Sequence, residues 1–289
     1  MAARATATMP TRITKLFGIQ HPVILPGMSW ISEPKLVAAV SNAGGLGIFA
    51  SGPYGASEVR EKIREIRALT DKPFGVGCTL LMPGASENAK VALEEQVPVI
   101  NFSLGKGDWI TEGVQKYGGK TIATVVSSKH ALSAESIGAD AIMATGHEAA
   151  AHGGDVTSMV LVPALASRVK IPIIAAGGFA DGRGLMAALS LGADGIAMGT
   201  RLATSADSPL AEATKAAIVA SYEDETIYSD KFDGMHARVL RTQASLKATR
   251  KHMNPVLAAL KSFQAAKLIN MPMWQVLPGV CMYVCMYHV

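Results

Sequence analysis

Apolar residues in this chain gather into short unbroken runs, and between the runs lie stretches with a helical period. The runs cover residues 23–26, 45–50, 74–80, 97–103, 121–126, 141–145, 171–176 and 195–199. Most are continuous rather than alternating, as expected of parallel strands covered on both faces. The intervening stretch 57–69 sets Val59, Ile63 and Ile66 on one stripe and its charges elsewhere. Another helix opens at Ser32-Glu33-Pro34, with Ser32 as N-cap and Pro34 in the first turn. A third runs over 181–191, starting on a capping Asp181 and closing at Gly192. Strand-then-helix repeated eight times over about 200 residues predicts an α/β fold, a (β/α)8 TIM barrel.

An internal echo supports the repeat. The segment Ile137-Gly-Ala-Asp-Ala-Ile-Met143 resembles Leu191-Gly-Ala-Asp-Gly-Ile-Ala197, each with a helix-ending glycine and then an Asp just before a strand. An open doubly wound sheet is the competing architecture. It would carry a G-x-G-x-x-G turn after the first strand, and none follows 23–26. The barrel is therefore assigned to 11–220, and 221–289 to a short C-terminal helical extension with an apolar tail that is not a separate domain. Within that extension 222–234 is polar and acidic, and 236–266 reads as one or two basic helices. Residues 271–289 are almost wholly apolar but are broken by Pro272, Gln275, Pro278 and Gly279, which argues against a membrane span. So much apolar surface predicts either a cover for the barrel mouth or a homodimer contact through the tail, with the dimer favoured.

Composition narrows the partners. With 27 basic and 23 acidic residues the net charge is +4, and the basic residues form no run or stripe, which excludes nucleic acid as the expected partner. Cys78, Cys281 and Cys285 are too few for a disulfide framework and lack a second pair for a zinc site. No N-terminal apolar stretch resembles a signal peptide, so a cytoplasmic location is expected.

In a barrel, chemistry sits at the carboxyl ends of the strands. Gly177-Gly178 follows the seventh run and Gly199-Thr200 the eighth. Glycines there let backbone amides close on one phosphate, and the helix starting near Asp181 would add its positive dipole end. The turn after the sixth run reads Gly146-His-Glu-Ala-Ala-Ala-His-Gly-Gly-Asp155. His147 and His152 are five residues apart, about 140° around a helix, which does not suit a zincin pair. His152, among small residues, is the better candidate for a functional imidazole that acts as base or donor near neutral pH.

Several motifs then converge. Thr11-Arg-Ile-Thr14 with Pro22-Val-Ile-Leu-Pro-Gly-Met28, Ser41-Asn-Ala-Gly-Gly-Leu-Gly47, Asp71-Lys-Pro-Phe-Gly-Val76, the His152-Gly-Gly turn, the 172–182 segment ending Ala-Gly-Gly-Phe-Ala-Asp-Gly, and Met198-Gly-Thr-Arg201 together resemble the nitronate monooxygenase (2-nitropropane dioxygenase) family. That family also includes FMN-dependent enoyl-ACP reductases and NADH:quinone reductases. The resemblance implies FMN bound at the barrel mouth. Gly27 and Met28 would run along the ring, and Gly177, Gly178, Gly199 and Thr200 would hold the phosphate. Gly77, Thr124, Thr145, Ala151 and Ala176 complete the expected cofactor set, and His152 matches the family's active-site histidine. The implied reaction is oxidation of a nitronate or nitroalkane. The alternatives are NAD(P)H-dependent reduction of an enoyl thioester or quinone, and a flavin-poor barrel with a binding or assembly role. The sequence departs from the family where Gly77 replaces a usual Asn, where Thr124 or a neighbour stands for a frequent Lys, and in its shorter cap.

Overall fold

All eight apolar runs become parallel strands of one closed barrel. The computed structural model describes residues 9–231 and 235–250. They fall into two compact units, one made of 9–147 with 155–209 and the other of 148–154 with the described residues from 210 onward. The strands are β1 (Val23–Leu25), β2 (Leu46–Ala50), β3 (Phe74–Thr79), β4 (Val99–Ser103), β5 (Lys120–Val125), β6 (Ala141–Thr145), β7 (Ala151–His152), β8 (Ile173–Ala176) and β9 (Gly195–Ala197), with β10 (Thr226–Ser229) and β11 (Ala237–Leu240) further on. The barrel takes β1 to β6, then β8 and β9, and closes because β1 pairs with both β2 and β9.

Helices follow the strands on the outside: α2 (Pro34–Asn42), α3 (Ala56–Leu69), α4 (Ala85–Glu94), α5 (Asp108–Gln115), α6 (Ser128–Ser136), α7 (Ser158–Ala166), α8 (Gly182–Ser190) and the short α9 (Thr200–Ala203). Val59, Ile63 and Ile66, the predicted stripe of α3, are fully buried. A Cβ at Gly47 would sit 2.2 Å from the Val37 carbonyl oxygen, so glycine is what lets α2 lie directly on β2. Before the first strand, α1 (Arg12–Phe17) is held by a reciprocal Thr11–Thr14 capping box. Its Ile13 and Phe17 join Ile24, Leu46, Ile48, Val99, Ile122, Met143 and Ile174 in the barrel core. Each such side chain contributes about 1.5–3 kcal/mol on burial, before the cost of ordering it.

The two echoed segments do the same work at the amino end of the barrel. Gly138 and Gly192 both take left-handed backbone (φ 83° and 97°), ending a helix and turning the chain toward the next strand. Asp140 then accepts the Thr121 N–H at 2.8 Å, and Asp194 accepts the Ile173 N–H at 2.9 Å. Asp140 thus satisfies the second amide of β5, and Asp194 the first amide of β8. Asp194 is further gripped by the Arg12 guanidinium through two contacts of 2.7 Å.

The second unit corrects part of the sequence reading. Residues 237–240, expected to be helical, form β11, which pairs antiparallel with β10 and with β7 in the order β10-β11-β7. Helical structure resumes at α11 (Gln243–Arg250), and α10 (Glu212–Ala220) precedes the sheet. The turn after β6 is also not wholly irregular, since Ala151–His152 is a strand. Among the described residues no helix is long and apolar enough to cross a membrane. The tail 271–289, with Cys281 and Cys285 and the expected dimer contact, lies outside the described residues.

Candidate active site

Side chains on a strand alternate between faces, so the barrel interior can be read upward in steps of two. The lower layers hold Ile24, Ile48, Val99, Ile122, Met143 and Ile174. Two residues further toward the carboxyl end, the same strands offer Pro26, Ala50, Asn101, Thr124, Thr145 and Ala176, and β3 offers Gly77. Bulk gives way to small and weakly polar groups toward the mouth. The register puts these residues side by side: Gly77 pairs with Ala50 and with Asn101, and Thr145 pairs with Ala176.

The Gly27-Met28 turn is fixed by one buried hydroxyl. Ser32 Oγ donates to the Pro26 carbonyl at 2.7 Å and accepts the Met28 N–H at 3.0 Å. Ser32 is therefore not the N-cap of α2. That position belongs to Glu33, with Pro34 as the first helical residue. Trp30, between them, holds left-handed backbone at φ 60°, a conformation costing about 1–3 kcal/mol for a residue with a side chain. Met28 Sδ lies 3.5 Å from where a Cβ on Gly199 would stand, which brings this turn against the one after β9.

After β8, the strand next to β9, Gly177 and Gly178 are consecutive left-handed residues (φ 100° and 80°), a path that glycine takes without strain. Ser158 Oγ donates to the Gly177 carbonyl at 3.0 Å and anchors the turn. The N-terminus of α8 does not point a bare dipole at this turn as expected. The Asp181 carboxylate already caps it, accepting from the amides of Arg183 (2.9 Å) and Gly184 (3.1 Å). Hydrogen bonding from the Arg183 side chain, then from the Gly184 amide, holds the Asp181 carboxyl below its ordinary range. By contrast the four-residue α9 has Gly199 as its N-cap residue and no side-chain cap.

Two features of the mouth were not apparent in the sequence. Asn101 is 8% exposed on the inner face of β4, and its Nδ2 donates to the Ile122 carbonyl and to Thr124 Oγ1, both at 3.0 Å. The signal available was a lone amide inside the apolar run 97–103. Ser51 meanwhile clamps Gly77, whose carbonyl accepts both the Ser51 N–H (3.1 Å) and its hydroxyl (2.8 Å). Behind it Cys78 is buried, and burial pushes its thiol up to about 11, so it stays protonated at neutral pH and is no nucleophile.

Ten of the predicted residues thus sit at the carboxyl end of the barrel: Gly27, Met28, Gly77, Thr124, Thr145, Ala176, Gly177, Gly178, Gly199 and Thr200. Ala151 and His152 belong to the second unit. There β7 lies against β11, with His152 opposite Ala237, and Tyr228 donates to the Gly153 carbonyl at 3.3 Å. His147 stays with the barrel, its amide bonded to the Val156 carbonyl across the neck of the excursion at 2.9 Å.

Fold and mouth together define the class, a (β/α)8-barrel enzyme. Within that class the chain belongs to the nitronate monooxygenase family, whose model matches residues 10–108 and 86–273. It is 38% identical to a 5-hydroxy-7a-methyl-1-oxo-octahydro-1H-indene-4-carboxyl-CoA dehydrogenase of Rhodococcus jostii, over 94% of this chain and 77% of that protein. A probable nitronate monooxygenase of Staphylococcus aureus is 33% identical, over 78% of this chain and 77% of its own length. Among solved structures FabK from Thermotoga maritima superimposes with a TM-score of 0.84 at 39% identity, over 93% of this chain and 90% of that one. The chain is accordingly an oxidoreductase.

Proposed function

We propose that this chain is an FMN-dependent oxidoreductase acting on a carbon acid, a molecule whose reacting carbon lies next to an electron-withdrawing group. The observation that carries the reading is the mouth itself, where a layer of small residues lies beside the paired left-handed glycines 177 and 178. A flat ring fits the first and a phosphate the second. Gly27 and Met28 line the ring; Gly77, Thr124, Thr145 and Ala176 surround it; Gly177, Gly178, Gly199 and Thr200 hold the phosphate. FMN, when bound, supplies the redox-active ring. His152 removes the proton from a neutral substrate or orients an anionic one, and its place in the β6-to-α7 connection supports that role.

Two substrate classes follow. The family motifs favour a nitronate or nitroalkane. A CoA thioester is favoured by a specific observation: the relative named for a carboxyl-CoA is more similar and covers more of this chain than the nitronate-named one; in the reductive direction NAD(P)H would be the partner of the flavin. Anaerobic titration of the FMN-loaded protein decides between them. Loss of flavin absorbance on adding a nitronate alone identifies the oxidase, and loss on adding NAD(P)H that an unsaturated CoA thioester reverses identifies the reductase. Absorbance unchanged by all of them contradicts the proposal. In either case His152→Ala should keep FMN and lower turnover of a proton-bearing substrate roughly 100-fold or more. A pre-ionised nitronate should suffer less. Wild-type rates on both would remove His152 from the reaction.

A further inference from the structure

Asn101 and Thr124 form a pair whose hydrogen-bond direction is fixed by a third group. The Asn101 carboxamide faces the Ile122 carbonyl at 3.0 Å, and a carbonyl can only accept, so the atom facing it must be Nδ2. The second Nδ2 hydrogen points to Thr124 Oγ1 at 3.0 Å, whereas Oδ1 is 3.5 Å from the same hydroxyl, at the limit of a hydrogen bond. Thr124 Oγ1 therefore serves Asn101 as an acceptor through the shorter contact, and within the pair its own proton has only the long 3.5 Å contact to Oδ1. Thr124 lies on the inner face of β5, one step above Ile122 and at the floor of the small-residue layer. Asn101 is in register with Gly77 and is buried, whereas Thr124 keeps partial exposure.

We infer that Asn101 is a positioning residue that turns the Thr124 hydroxyl into a dedicated hydrogen-bond donor toward an acceptor atom of the bound flavin ring. The inference rests on the FMN reading above. A hydroxyl that accepts one hydrogen bond donates the next more strongly, so the amide polarises the hydroxyl as well as aiming it. A donor at a ring acceptor favours the electron-rich, reduced ring over the oxidised one, and this links a buried amide to the redox potential.

The test uses the full chain freed of flavin and titrated with FMN, with binding followed by fluorescence quenching and the midpoint potential measured on the loaded protein. Thr124→Val should raise the FMN Kd roughly three- to tenfold, the size of one net hydrogen bond, and make the potential more negative. Asn101→Ala should shift both in the same direction by less. The double variant should match Thr124→Val alone, because the amide acts through the hydroxyl. Thr124→Ser should restore both values. Should Asn101→Ala fail to fold, Asn101→Leu keeps the volume without the amide and should shift Kd and potential as Asn101→Ala does. Additive effects, or an unchanged Kd and potential in the Asn101 variants, would overturn the role of Asn101 and leave the FMN reading standing. A wild-type chain that does not quench FMN overturns that reading and this inference with it.

Discussion

Single side chains at the two ends of the barrel do different kinds of work. At the amino end Asp194 satisfies the Ile173 amide of β8, and Asp140 does the same for Thr121 of β5. The Asp194→Ala variant would leave a buried amide without its acceptor, which costs about 1–3 kcal/mol. The exposed Arg12 partner adds little more, since water screens it. Denaturant unfolding should show that loss with FMN binding unchanged; undiminished stability would contradict the role of the carboxylate. Asp181 offers a test by pH. Its folded carboxyl titrates below the ordinary value of 3.8, so its cap stabilises α8 fully above that value and the contribution disappears as pH falls through the folded one. An NMR titration of the side-chain carboxyl should give a midpoint under 3.8, and a midpoint at or above it would contradict the capping geometry. The capping Asp was legible because an acidic residue ahead of a helical stripe has one common use. Ser32 was not, because a serine before Glu-Pro reads as a cap whether its hydroxyl turns to the helix or, as here, back to Pro26 and Met28.

Among the elements, the barrel strands were legible and the strands of the second unit were not. Parallel strands covered on both faces leave continuous apolar runs. Residues 226–229 and 237–240 are short, half-buried and mixed in character, and the pairing of β11 with β7 joins segments far apart in sequence. Such a pairing leaves no local period to read. It also makes β11 the central strand, paired with β10 over 237–240 and with β7 at Ala237 and Arg238. Proline at such a position removes a ladder bond. Ala237→Pro, directly opposite His152, should therefore leave FMN bound by the barrel while turnover falls toward that of His152→Ala. Full turnover in this variant would separate the β7–β11 ladder from the function of His152.

For the molecule as a whole, a count of eight apolar runs was enough to fix the architecture, because few other folds need eight strand-helix repeats in one domain. The candidate site was legible in part for the same reason, since strand ends in a barrel converge whatever their sequence. Glycine turns after the seventh and eighth barrel strands could be picked out as text. The inward amide of Asn101 and the clamp from Ser51 to Gly77 could not, because both depend on which strands are neighbours and in what register. The central claim is that the Gly177-Gly178 turn holds the phosphate of FMN. Gly178→Asp tests it most directly, because aspartate tolerates left-handed backbone better than most residues and so should spare the fold. It also sets a negative charge where a dianion must approach. The account predicts that purified Gly178→Asp shows native far-UV circular dichroism and binds FMN far more weakly than the wild type in a quenching titration. Stoichiometric FMN binding with wild-type affinity would contradict it and place the phosphate elsewhere.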